Sequence, residues 1–195
     1  MPAKLAVLLF IADLALGSFS PASNAAECPA PVSGLYRNSQ YGFRFVVPSG
    51  LEGTRQSPCA LDETSQCICI GDHGLEIDLG GGTVLGAYSD YPAEFDDPTL
   101  ADLVAVEVPR MVGKDSGSTG NLVSVGPIRL GGRSGYRVNA SLPGGFEKPA
   151  MERIECIFFE GGVRYIIYLR GPGESFSRYL PHLRQLMKTW VWASN

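Results

Sequence analysis

Five large apolar side chains near the C-terminus, Phe176, Leu180, Leu183, Met187 and Trp190, recur at spacings of 4, 3, 4 and 3. At 3.6 residues per turn that pattern puts all five on one stripe of a helix. Such a stripe must be covered, and the rest of the chain offers strands to cover it. Pro181 is expected near the first turn of this helix, where a missing N–H costs least.

The strand signals are alternations bounded by glycine and proline. Phe43, Phe45 and Val47 share one face of a strand that Pro48 stops. Residues 49–66 read as loop, and Cys67 to Ile70 as a short strand. Leu75, Ile77 and Leu79 alternate with Glu76 and Asp78, Gly80 to Gly82 make a turn, and Thr83 to Tyr88 return. Asp97 and Pro98 read as the N-cap and first residue of a middle helix. That helix carries Leu100, Leu103, Val104, Val108 and Met111, and Pro109 should kink or end it. Leu122–Leu130 and Tyr136–Leu142 form a hairpin around 131–135. Arg153–Glu160 and Val163–Arg170 form another, closed by Gly161-Gly162 in a type I′ turn. The expected fold is α+β: an antiparallel sheet of six or seven strands with both helices packed on it.

The chain begins with Lys4, an apolar run from Leu5 to Ala12, and small residues ending in Ala25-Ala26. This is the order of a secretory signal peptide over residues 1–26, which leaves a single domain over 27–195 in the periplasm or outside the cell. The run is far shorter than the roughly 18–20 apolar residues of a bilayer span, so no stable membrane insertion is expected. A formal net charge of −4 argues against nucleic acid as a partner.

Export makes the five cysteines informative. An odd count leaves at least one of Cys28, Cys59, Cys67, Cys69 and Cys156 outside an intramolecular bond. Cys67 and Cys69 are roughly 6.6 Å apart along a strand, near the upper limit for a disulfide. A bond from Cys59 to Cys67 or Cys69 is the better expectation. The alternatives are a zinc set of Cys59, Cys67, Cys69 and His73, or thiol exchange at Cys67 and Cys69.

No catalytic constellation is evident in the sequence. Gly80-Gly81-Gly82 is followed by Thr83 rather than by the lysine of a phosphate loop. There is no Gly-x-Ser-x-Gly elbow. His73, Asp102 and Ser116 lack the rigid setting a triad needs. No cofactor is expected. The segment holding Tyr88, Asp90, Tyr91, Glu94 and Phe95 interleaves aromatic and acidic groups and is the candidate partner-binding surface. Arg129, Arg133 and Arg137 could form a basic edge, and Trp192 either caps the sheet or stands exposed.

The stretch Tyr36-Arg37-Asn38-Ser39-Gln40-Tyr41-Gly42-Phe43-Arg44-Phe45-Val46-Val47-Pro48 resembles the start of the PsbP-like family. That family includes extrinsic photosystem II subunits, a nuclear Ran-binding protein and bacterial periplasmic proteins. The later order is similar too: a helix after Asp97-Pro98, a hairpin at Gly132-Arg133-Ser134-Gly135-Tyr136, a closing hairpin and a terminal helix. The resemblance spans roughly residues 36–192. Thr189-Trp190 stands where the family has Ser-Phe, and the cysteine-bearing insert at 54–74 departs from it. The resemblance implies an α/β/α sandwich around an antiparallel sheet, without catalysis, and it carries over no binding residue. The expected function is an exported, non-enzymatic domain that binds, assembles or stabilises another envelope or extracellular protein, or neutralises a toxin. The alternatives are a thiol redox or metal-binding protein, or a carrier of a small apolar ligand between sheet and helix at Phe43, Phe45 or Trp190.

Overall fold

Seven strands form one antiparallel sheet that runs through a computed structural model of the chain. The structure describes residues 31–56, 59–61, 67–69, 72–90, 99–111, 120–144 and 149–193. In chain order the elements are β1 (Leu35–Asn38), β2 (Phe43–Val46), β3 (Thr54–Gln56), β4 (Cys59–Leu61), β5 (Cys67–Cys69), β6 (Gly74–Asp78), β7 (Val84–Asp90) and α1 (Leu100–Met111). They continue as β8 (Asn121–Leu130), β9 (Arg133–Leu142), β10 (Met151–Glu160), β11 (Val163–Pro172), α2 (Gly173–Lys188) and β12 (Val191–Trp192). The main sheet has the order β3-β6-β7-β11-β10-β9-β8. A small sheet, β1-β2-β12, and the two-stranded β4-β5 complete the topology.

The β8–β9 hairpin is tighter than the expected turn over 131–135, while the β10–β11 turn at Gly161-Gly162 is as expected. Gly131-Gly132 and Gly161-Gly162 are both two-residue turns, with φ of 55° and 86° and of 57° and 74°. Type I′ turns need φ above zero at both central positions, which glycine reaches without a steric penalty.

One face of the sheet carries the main core. Alternation on β10 aims Ile154, Cys156 and Phe158 at this face, and α2 lays Phe176, Leu183 and Leu186 over it. The small sheet joins it: Phe43 and Phe45 stack on Trp190 with ring centroids 4.5 and 5.5 Å away. Trp190 is held just past the helix, beside Thr189, whose Oγ1 accepts from the Val46 N–H (3.0 Å). Trp192 caps the sheet. Its Nε1 donates to the Leu130 carbonyl (2.8 Å) and the Arg133 guanidinium lies 4.3 Å from its ring. The opposite face holds a smaller core, in which α1 places Val108 and Met111 against Val138, Ala140, Ile157 and Ile166.

The seven-stranded antiparallel sheet is as expected, but the layers are unequal. The molecule is mostly sheet, and an even α/β/α sandwich does not describe it. Residues 49–66, read as loop, contain β3 and β4. The middle helix is capped by Thr99: its N–H and Oγ1 both donate to Asp102 Oδ2 (2.8 and 2.6 Å), and the Asp102 N–H donates back to Thr99 Oγ1 (3.3 Å). This reciprocal box outcompetes the proline signal. Asp97 and Pro98 lie outside the described residues, and Pro109 stays inside the last turn. Pro181 is mid-helix rather than in the first turn, because α2 starts directly from the end of β11. The proline is exposed, so water can serve the Ser177 carbonyl that it leaves unpaired.

Candidate functional site

The first four residues of the apolar stripe do not all meet the same fate. Phe176 and Leu183 are buried, whereas Leu180 and Met187 are only half-buried. The reason is tertiary. The β8–β9 hairpin runs out past α2, so the flank of the helix overhangs an uncovered strip of sheet. The result is a groove of about 520 Å³, within the usual range for binding clefts. Leu180 and Met187 form one wall, Ile128 and Ile154 the floor, and Val123, 62% exposed, the outer lip.

The polar groups of the groove are few and specific. Arg137 on β9 and Arg184 on α2 line it, with Glu152 as the one carboxylate among its lining residues. Asn139 donates from Nδ2 to Ser124 Oγ, which leaves its buried Oδ1 without a hydrogen-bond partner. A buried, unmatched acceptor costs free energy until something donates to it.

Cys156 lies in the floor of the groove, beside Ile154 on β10. It is a free, buried thiol, with Sγ 3.9 Å from Met187 Sδ. Burial pushes this thiol up to about 12, more than the facing Arg137 pulls it down. Cys156 is therefore an inert part of the packing and forms no disulfide in this structure. Of the other cysteines, Cys28 lies outside the described residues. The backbone of Cys59 pairs with that of Cys69, and Cys67 pairs with Leu61. Among the described residues no group of three or more His, Cys, Asp or Glu could hold a metal.

Within the aromatic–acidic segment, Tyr88 stands apart from the groove. Tyr88 is half-buried on the opposite face of the sheet, its ring 5.8 Å from that of His73. Asp90 ends β7 opposite Arg164, and Tyr91, Glu94 and Phe95 lie outside the described residues. The three arginines do not make one edge either: Arg133 pairs with Glu160, and only Arg137 lines the groove. The space among Phe43, Phe45 and Trp190, where a carrier would need a cavity, is filled by their stacked rings.

A second polar cluster fixes the leg of the cysteine-bearing insert. Tyr36 Oη donates to Asp72 Oδ1 (2.7 Å), Asn38 Nδ2 donates to the Asp72 carbonyl (2.7 Å), and Arg55 is paired with the same carboxylate. Burial, then the Asp72 carboxylate, raise the Tyr36 phenol well above its ordinary value. Sequence reading missed this cluster, since its members are spread over 36 positions and each looks like an ordinary loop residue.

No family model matches the sequence, and no curated protein does. Among solved structures the chain is similar to cyanobacterial PsbP (CyanoP) from Synechocystis sp. PCC 6803, at 15% identity and a TM-score of 0.55, over 83% of this chain and 94% of that one. It is also similar to a Pseudomonas aeruginosa protein of unknown function described as a putative regulator, at 13% identity and a TM-score of 0.51, over 86% of this chain and all of that one. LpqN of Mycobacterium tuberculosis, involved in cell envelope biogenesis, aligns at 12% identity over 85% of this chain and 90% of its own, but its TM-score of 0.48 carries no argument. At these identities the likeness shows the fold alone. The chain has the fold of cyanobacterial PsbP.

Proposed function

We propose that this chain is a non-enzymatic binding domain, exported with loss of residues 1–26, whose 27–195 domain receives a segment of another protein in the α2 groove. The observation that carries the reading is the pairing of an apolar cleft with the guanidinium groups of Arg137 and Arg184 among its lining residues. A peptide can supply apolar side chains to the floor and a carboxylate to Arg137 or Arg184. The space a small apolar ligand would need among Phe43, Phe45 and Trp190 is taken up by their stacked rings, which favours a protein segment. The partner is then an envelope or extracellular protein that the domain holds or stabilises; a neutralised toxin is one case of it.

A photo-crosslinking residue at Val123, on the lip of the groove, tests this in the producing cell. The expected result is one discrete protein adduct, absent when the crosslinker sits at Leu35 on the small sheet, and lost when Met187→Trp fills the cleft. Equal adducts from both positions, or none from Val123, would overturn it. N-terminal sequencing of the same material should begin close to residue 27, and an intact Met1 would remove the export part.

A further inference from the structure

We propose that Cys59 and Cys69 form a cross-strand disulfide that staples the insert hairpin, leaving Cys67 outside the bond. The proposal rests on backbone register. In the antiparallel β4–β5 pair Cys59 stands directly opposite Cys69, and Leu61 opposite Cys67. Directly opposed residues have Cα atoms about 4.5–5.5 Å apart, inside the roughly 4.4–6.8 Å window of a disulfide. Cys67 is diagonal to Cys59, at about 7–8 Å, and is separated from Cys69 by about two strand rises. Of the three pairings within the insert, only 59–69 falls comfortably within reach.

The legs beneath this pair are fixed independently. β3 and β6 pair with Arg55 opposite Leu75 and Gln56 opposite Gly74, and the His73 N–H donates to the Gln56 carbonyl (2.8 Å). Asp72 is held by Arg55, Tyr36 and Asn38, and its N–H donates to Gln40 Oε1 (3.0 Å). Both strands thus leave the sheet from anchored positions. The insert extends from the β3 edge, at the far end of the strand order from β8 and the groove, so the bond is independent of the binding reading.

Formation needs a disulfide oxidant, such as glutathione disulfide or an oxidised dithiol protein. One thiolate of the pair attacks the oxidant's disulfide and releases one of its thiols. The second thiolate then attacks the mixed disulfide, forming the Cys59–Cys69 bond and releasing the other. Two electrons and two protons pass from the pair to the oxidant.

The test is peptide mapping of the full chain after treatment with glutathione disulfide and blocking of remaining thiols. Cleavage after Asp62 or Glu63 separates Cys59 from the other two cysteines. Fragmentation between Cys67 and Cys69 then assigns the linked sulfur. The expected result is a linked pair, lighter by two hydrogens than its separate peptides, with the link on Cys69. The link should persist at undiminished yield in Cys67→Ser. A blocked, unlinked Cys59 in the oxidised protein would overturn the proposal, as would a link from Cys59 to Cys67, Cys28 or Cys156.

Discussion

The two faces of the sheet are covered by one helix each, yet the helices are fastened in different ways. Under α2 an aromatic group made of Phe43, Phe45, Trp190 and Trp192 ties helix, small sheet and main sheet together. Under α1, among the described side chains, Val108 and Met111 are buried against Val138, Ala140, Ile157 and Ile166, with Val125, Tyr136, Phe159 and Tyr168 packed around them. The same face also carries polar pairings. Tyr168 Oη donates to Glu76 Oε2 (2.6 Å), Arg170 reaches the same oxygen (3.4 Å), and Arg153 pairs with the buried Glu155. Apolar burial contributes roughly in proportion to the area removed from water, while each polar pairing nets little because water pairs are given up for it. Among the described residues the α2 face is therefore the more cohesive one. The groove arises where the cohesive face runs out of helix.

The sharpest way to break this comparison is Trp190→Ala. It empties the centre of the aromatic stack and should cost about 3–5 kcal/mol in chemical denaturation. A loss below about 1 kcal/mol would mean the stack is not what holds α2. Met111→Ala on the other face should cost about 2 kcal/mol. Its amide exchange should rise across 99–111 while α2 keeps its protection. Equal exchange in both helices would erase the distinction between them. Tyr168→Phe removes one hydrogen bond to Glu76 and should cost about 1 kcal/mol, with the hairpin registers unchanged in spectra.

The alkaline limb of stability gives the finest comparison. The Cys156 thiol is raised from an ordinary 9.0 to about 12 by burial. Between those values the folded chain keeps a proton that the unfolded chain has lost. Stability from this group is therefore complete below pH 9 and lost as the pH climbs toward 12. Tyr36 and Tyr168, both raised above 10.0 chiefly by burial, steepen the same decline. Cys156→Ala should flatten the slope between pH 9 and 10, before the tyrosines contribute; an unchanged slope there would contradict the burial of this thiol.

Where one strand face is apolar and the other polar, the alternation was readable, as in β2, β6 and β7, and the double-glycine turn of the β10–β11 hairpin was equally plain. Other elements left no such trace. β1 buries Tyr36 and Asn38, whose place is set by Asp72, far along the chain. β12 is two residues long and is a strand only because β2 lies beside it. Leu186 is fully buried although it lies outside the stripe of five, because β2 and the sheet enclose α2 from two sides. The candidate site was half legible: Leu180, Met187 and Arg137 stood out as residues, but nothing local said that they would share a cleft.

The sequence by itself determined the antiparallel sheet, its tight glycine turns and the amphipathic closing helix, since each depends on side-chain periodicity and backbone freedom within a few residues. Only the tertiary structure decided how far β8 and β9 project beyond α2, which polar groups meet at Asp72, and that Cys59 faces Cys69. Those features depend on the relative placement of segments distant along the chain, and a periodic pattern in one segment carries no information about the length or register of another.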